Sequence, residues 1–215
     1  MAELIRDIDP ETVRANLDAV RARSGEGAEV LVATQYVPDE ELPALAAAGV
    51  RLVGENRLQD LERKQEAHGE LFDWDFIGTV QSRKVRGIVP LVRLIHSICT
   101  DSALAQLEKH APRGTRVLVQ VNVAGEEGKA GISPAELAGF IGRCPVEVAG
   151  LMTMPPFTER PEDSRVHFAR LAELAAEHGL RELSMGTSQD WTVAAEEGAT
   201  ILRLGTSLLS GEMQA

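Results

Sequence analysis

The chain has 215 residues, of which 44% are hydrophobic and 26% charged, with a formal net charge of −11 at pH 7. This length and composition predict a single domain over residues 1–215, and the acidic balance argues against a nucleic-acid surface, which needs a basic patch. No apolar run approaches the ~18–20 residues of a membrane span. The acidic N-terminus lacks a signal segment and the two cysteines form no C-x-x-C pair, so we expect a cytoplasmic protein with reduced thiols and, without an evident apolar patch, a monomer.

Apolar, partly β-branched runs alternate with helical patterns along the chain. A helix over 9–23 comes first, because Asp9 and Pro10 are typical of an N-cap and a first helical position. The predicted strands that follow are 29–33, 50–53, 74–77, 94–98, 116–123, 147–151, 181–183 and 200–204. The predicted helices between them are 39–48, 56–68, 81–90, 102–110, 133–143, 162–177 and 189–197.

Eight successive β-then-α units favour a closed, parallel (β/α)8 TIM barrel with an extra N-terminal helix. An open, doubly wound sheet is the alternative. In a barrel of this kind, residues at the carboxyl ends of the strands form the functional site.

Small polar residues follow the last two predicted strands, at 184–188 and 205–207. Backbone N–H groups and hydroxyls without side-chain bulk are the donors that a phosphate takes. Ordinary turn chemistry explains either loop alone, but two such loops on neighbouring strands favour a phosphate-bearing ligand. The residues predicted to hold it are Ser188, Gly205 and Thr206, with Ser184 and Gly186 as further members.

Short motifs at the strand ends occur in a characteristic order: VGEN at 53–56, FIGxVQSxK at 76–84, QVNV at 120–123, GLMTMPP at 150–156, LSMGTS at 183–188, EGAT at 197–200 and RxGT at 203–206. Each motif is weak alone, but together they resemble the pyridoxal phosphate homeostasis protein family over nearly the whole chain. The resemblance implies a single-domain barrel related to that of alanine racemase. It also implies that the protein binds pyridoxal 5′-phosphate and serves cofactor (vitamin B6) homeostasis, and that it is not an enzyme.

The resemblance also implies roles for three further residues. Arg203 would face the pyridine nitrogen, where a second positive charge disfavours protonation of the ring and makes it a poor electron sink. Asn56 would hydrogen-bond the cofactor, and Met152 would pack near the ring. The structural alternatives are a surface ion pair for Arg203, a helix N-cap for Asn56 and plain core packing for Met152.

One position departs from the family pattern in a way that changes the chemistry. Members carry a lysine after the first strand, in the order apolar-apolar-Ala-x-Lys, and it forms an imine with the cofactor's aldehyde. This chain has Gln35 there, in LVATQYVP over 31–38. An amide nitrogen is not a nucleophile, so the cofactor should bind without a covalent bond or not at all. An introduced replacement and a natural loss of the lysine both remain open.

Other lysines and polar residues also bear on the predicted site. A surrogate imine on Lys84 or Lys129 is an open alternative. Asp75 stands where the family commonly has histidine, and strand alternation directs it into the barrel. The five histidines form no metal motif and are expected to be solvated or capping residues, with His96 at a strand end as the one to inspect.

Two enzyme classes compete with the cofactor-binding interpretation. An amino-acid racemase would need a lysine base at the site and a second domain to supply a partner acid. A phosphosugar enzyme with a phosphate-binding barrel fits the two loops, but no pair of catalytic acid and base is evident at the strand ends.

Overall fold

Barrel closure is defined by the pairing of the first strand with the last. The computed structural model describes residues 4–25 and 27–211. Eight parallel strands pair in chain order, and β1 also pairs with β8, with Leu31 opposite Arg203. The predicted (β/α)8 barrel is therefore confirmed, and the open sheet is excluded. Among the described residues, no helix is long and apolar enough to cross a bilayer.

The strands are β1 (Glu29–Ala33), β2 (Leu52–Glu55), β3 (Asp73–Phe76), β4 (Leu94–Ile98), β5 (Arg116–Gln120), β6 (Glu147–Met152), β7 (Glu182–Ser184) and β8 (Ile201–Leu204). The helices are α1 (Pro10–Ser24), α2 (Leu42–Ala47), α3 (Leu58–His68), α4 (Val85–Ile88), α5 (Asp101–His110), α6 (Leu137–Arg143), α7 (Arg165–Glu177), α8 (Trp191–Glu196) and α9 (Thr206–Leu209). Short 3-10 turns cover Asp39–Glu41, Gly69–Leu71, Ser82–Lys84 and Pro161–Ser164.

The predicted elements differ from the observed ones mainly at their boundaries. The helix predicted over 81–90 is a 3-10 turn followed by the four-residue α4, because Gly87 and Pro90 both disfavour a longer helix. The strand predicted to reach residue 123 ends at Gln120, beyond which Val121 makes only an isolated bridge to Ile132. The short α9 after the last strand was not predicted.

The N-terminal helix forms for the reason the sequence indicates. The Asp9 carboxylate accepts hydrogen bonds from the backbone N–H groups of Glu11 and Thr12, and Pro10 occupies the first turn. Such a cap typically stabilises a helix by about 1 kcal/mol. The buried face of α1 carries Val13, Leu17 and Val20.

Strand alternation divides the apolar residues into two layers. The larger one fills the space between the barrel and its helices, where Val32, Val53 and Leu202 are buried. The smaller one lies inside the barrel and closes its interior below the carboxyl-terminal rim. It consists of Leu31, Leu52, Leu94, Leu118, Met152 and Ile201.

Gly150 in β6 is required by the close approach of the next strand. A Cβ at this position would lie 1.8 Å from the carbonyl oxygen of Glu182. We predict that Gly150→Ala lowers the free energy of unfolding by at least about 2 kcal/mol, because backbone atoms of β7 must move.

The matched control is Gly142→Ala in α6, where an added Cβ meets nothing within 4 Å. This change should stabilise the protein by about 0.5–1 kcal/mol, as alanine favours helix. Urea unfolding of both variants measures the difference, and equal effects would contradict the packing argument.

Candidate functional site

A cavity of about 740 Å³ opens at the carboxyl-terminal rim of the barrel. Residues at or near the ends of all eight strands line it, as expected for this fold. Most of the predicted site residues are brought together here: Gln35, Asn56, Met152, Ser188, Arg203, Gly205 and Thr206. Ser184 and Gly186 are not part of the lining.

The charge of the cavity is opposite to that of the whole chain. Arg57, Lys84 and Arg203 line it, and no aspartate or glutamate among residues 4–25 and 27–211 does. The chain as a whole has a formal net charge of −11. An anionic ligand therefore meets attraction in the cavity and no carboxylate to repel it.

Gln35 is presented to the cavity by an anchored stretch of backbone. The Thr34 hydroxyl donates to Glu55 Oε1 at 2.6 Å, and Lys64 Nζ donates to the Thr34 carbonyl at 2.6 Å. Asn56 Nδ2 donates to Gln35 Oε1, which joins the two amide side chains at the ends of β1 and β2. The residue after β1 is thus held from both sides.

Lys64 and Glu55 form a buried ion pair behind this stretch. Their charged atoms are 2.5 Å apart, and both side chains are at most 2% exposed. Removing one partner of such a pair typically costs 3–5 kcal/mol, because it leaves an unpaired buried charge. Lys64 lies outside the cavity lining, so it supplies structure rather than an amine for the site.

Arg203 forms part of the cavity floor and is hydrogen-bonded only to neutral groups among the described residues. Its guanidinium donates to Ser184 Oγ at 2.5 Å, to the Thr153 carbonyl at 3.0 Å and to Met154 Sδ at 2.9 Å. Burial lowers the pKa of Arg203 to about 10, although Asp190 acts in the opposite direction. The side chain therefore stays charged at neutral pH and is suited to an electron-rich ligand atom.

A chain of hydrogen bonds continues from Arg203 through the barrel interior. Ser184 Oγ lies 2.8 Å from His96 Nδ1, and His96 Nε2 lies 3.0 Å from Asp75 Oδ2. Arg93 donates to both Asp75 oxygens, at 3.1 and 2.9 Å, and also to Glu29 at 2.9 Å. The network links the cavity floor to the opposite, amino-terminal end of the barrel.

The protonation states of the network follow from its surroundings. Burial lowers the pKa of His96, although its hydrogen bond to Asp75 acts in the opposite direction. Burial alone would raise the pKa of Asp75, but hydrogen bonds from His96 and Arg93 outweigh it and lower that pKa. A neutral His96 then donates from Nε2 to Asp75 and accepts at Nδ1 from Ser184, whose oxygen accepts from Arg203.

Several expectations need correction. His96 is fully buried and hydrogen-bonded, so the expectation that it is solvated or capping was wrong. The hydroxyl of Ser184 is engaged below Arg203 rather than at the cavity surface. Gly186 has a φ of +85°, and a Cβ there would lie 2.5 Å from that of Ala194, so packing explains this glycine. Asp75 does point into the barrel, as alternation indicated.

Some cavity residues were missed by sequence reasoning. Continued strand alternation would turn Tyr36 away from the interior, yet it lines the cavity because β1 ends at Ala33 and strand geometry stops there. Thr187 and Ser97 also line it. Thr187 lies in the phosphate loop already identified, and Ser97 lies near the carboxyl end of β4, where strand ends are expected to contribute to the site.

The chain matches the model of the family described as "Alanine racemase, N-terminal domain" over residues 8–212. It is 42% identical to a pyridoxal phosphate homeostasis protein of Aquifex aeolicus, with 89% of this chain and 90% of that protein covered. A protein of the same name from Pseudomonas aeruginosa is 35% identical, with 92% and 94% covered. The fold and site thus define an alanine-racemase-type barrel.

Within that class, the chain belongs to the family of pyridoxal phosphate homeostasis proteins. It is similar to PipY of Synechococcus elongatus in a structure with PLP bound, at 30% identity and a TM-score of 0.81, covering 92% of this chain and 99% of that one. Alanine racemase of Corynebacterium glutamicum shares the fold at a TM-score of 0.73 and 18% identity, covering 97% of this chain and 63% of that enzyme.

The lowered pKa of His96 predicts a pH dependence of stability. Below its ordinary pKa of 6.5, the unfolded chain binds a proton at this histidine that the folded protein does not. The free energy of unfolding should therefore fall as the pH drops from about 7 towards the lower folded pKa, by at most about 1.4 kcal/mol per pH unit.

Urea unfolding between pH 5 and 7.5 checks this prediction. His96→Gln should remove the part of the slope that comes from this residue, whereas His110→Gln, at the end of α5, should keep it. The prediction fails if the His96 variant retains the full slope of the parent protein.

Proposed function

We propose that this protein binds pyridoxal 5′-phosphate reversibly and without a covalent bond, and that it serves cofactor homeostasis rather than catalysis. The observation that carries the proposal is the cavity itself, whose described lining has three cations, no carboxylate, and Gln35 where the family's lysine stands. Relatives named for pyridoxal phosphate homeostasis and a PLP-bound PipY structure support it.

The phosphate is proposed to bind at the rim formed by the ends of β7 and β8. Ser188, Gly205 and Thr206 line the cavity there. The preceding turn is ordered by Asp190, because both the backbone N–H and the hydroxyl of Thr187 donate to its carboxylate. Hydrogen bonds to a charged phosphate contribute roughly 1.5–3 kcal/mol each, so several of them retain a ligand without a covalent bond.

Arg203 is proposed to face the pyridine nitrogen. Its buried positive charge would oppose protonation of that nitrogen, since two like charges in a low-dielectric site repel. Pyridoxal phosphate supplies an electron sink to enzymes that protonate its ring, and an unprotonated ring performs this role poorly. The arrangement therefore suits binding and release better than carbanion chemistry.

With Gln35, the site lacks the amine that catalysis with this cofactor would require. The amide nitrogen of Gln35 is conjugated with its carbonyl and does not attack an aldehyde, nor does it act as a base at neutral pH. We therefore expect no racemisation of alanine. The part of the lining that the structure describes holds no carboxylate, which also disfavours phosphosugar chemistry, since that needs an acid and base pair. We further propose a cytoplasmic monomer with free Cys99 and Cys144.

The first test compares this chain with Gln35→Lys. Equilibrium dialysis with pyridoxal 5′-phosphate should show binding to both proteins. Borohydride reduction followed by mass spectrometry should attach the cofactor to the lysine variant only, because only that variant offers an amine at the end of β1. Attachment in the parent protein would indicate a surrogate lysine, which peptide mapping would assign to Lys84 or Lys129, and absence of binding in both would overturn the cofactor assignment.

The second test places a negative charge in the proposed phosphate site. Thr206→Glu should weaken binding of pyridoxal 5′-phosphate at least about tenfold through like-charge repulsion. Ala105→Glu on the exposed face of α5 adds the same charge away from the cavity and should leave the affinity unchanged. Equal losses in both variants would show that net charge, not the cradle, controls binding.

A further inference from the structure

A second cationic corner lies in the cavity apart from the proposed phosphate site. Arg57 follows Asn56, which is the first residue after β2. Lys84 is the last residue of the 3-10 turn after β3. Both line the cavity. Lys84 Nζ makes a long contact of 3.4 Å with Gln59 Oε1. Within residues 4–25 and 27–211, neither cation is paired with a carboxylate.

The order of strands around the rim places Gln35 between the two charged regions. The phosphate loops follow β7 and β8, Gln35 follows β1, and the cationic corner follows β2 and β3. Neighbouring strands are about 4.8 Å apart, so along the barrel wall β8 lies about 10 Å from β2, two strand intervals away, and β7 lies about 19 Å from β3, four intervals away. A single phosphate does not span either distance, and the corner is left for a second anionic group.

The position of the second anion follows from the chemistry of position 35. A lysine there would form an imine with the aldehyde carbon C4′ of the cofactor, but Gln35 does not. That carbon is therefore free to carry the nitrogen of an amino acid, whose α-carboxylate would extend past Gln35 towards β2 and β3. Such conjugates form in solution by condensation of the aldehyde with an amine, releasing one water and requiring neither an oxidant nor a protein group.

We infer that this cavity selects conjugates of pyridoxal phosphate with amino acids, with the phosphate at the β7–β8 rim and the α-carboxylate at Arg57 and Lys84. The inference rests on the proposed function. Charge-assisted hydrogen bonds to a carboxylate are strong, but Arg57 is exposed and Lys84 half-buried, so solvent screens part of the gain. About a tenfold preference is therefore expected rather than a larger one.

The test uses two stable secondary amines that differ only in the carboxylate: N-(5′-phosphopyridoxyl)-L-alanine and N-(5′-phosphopyridoxyl)ethylamine. Isothermal titration calorimetry should show the alanine conjugate binding about tenfold more tightly. Raising the salt concentration should reduce this preference, since both cations are partly exposed to solvent.

Three variants locate the carboxylate site. Arg57→Gln and Lys84→Gln should each reduce the preference about threefold or more, because the affinity for the alanine conjugate falls further than the affinity for the ethylamine conjugate. Binding of the ethylamine conjugate also shows that the variants fold. Lys109→Gln, on the exposed side of α5, should leave the preference intact.

The outcomes separate this inference from the function on which it rests. Equal affinity for the two conjugates overturns the inference and leaves the proposed function standing. A preference that survives both cavity substitutions also overturns it, since the carboxylate then binds elsewhere. If neither conjugate binds the parent protein, the proposed function itself is wrong.

Discussion

Pairing of β1 with β8 is the constraint on which the site depends. This closure sets Leu31 opposite Arg203 and Val32 opposite Leu204, so the residues that follow the two strands meet at one rim. Gln35 and the loop of Gly205 therefore share a cavity, although they come from opposite ends of the chain. In an open sheet, β1 and β8 would be separate edges and no such cavity would exist.

The charged groups inside the barrel are arranged so that the positive charge of Arg203 is not neutralised. Asp75 is neutralised by Arg93 from the far side, and a neutral His96 separates it from Ser184 and the guanidinium. A carboxylate in direct contact with Arg203 would instead neutralise the cavity floor and weaken its interaction with a ligand. The protein thus orients a buried cation through a hydroxyl and an imidazole, both without net charge, while the ion pair of Lys64 and Glu55 fixes the adjacent rim from outside.

Local patterns were sufficient where one residue's role depends on its neighbours in sequence. The Asp9-Pro10 start of α1, the strand alternation that directs Asp75 inwards and the small residues after β7 and β8 all follow from short-range rules. The same rules failed where the chain leaves regular structure. Tyr36 lines the cavity because β1 has ended, and the buried setting of His96 depends on partners from β3 and β7.

The sequence by itself determined the barrel, the family resemblance and the lack of an amine side chain at position 35, because alternation and short motifs are patterns along the chain. Only the tertiary structure decided which cations share the cavity, that no carboxylate among the described residues joins them, and that the Ser184 hydroxyl accepts a hydrogen bond from Arg203. Those facts depend on residues from different strands meeting across a closed barrel. A linear pattern does not encode distance between strands, and so it could not assign Arg57 and Lys84 to one corner.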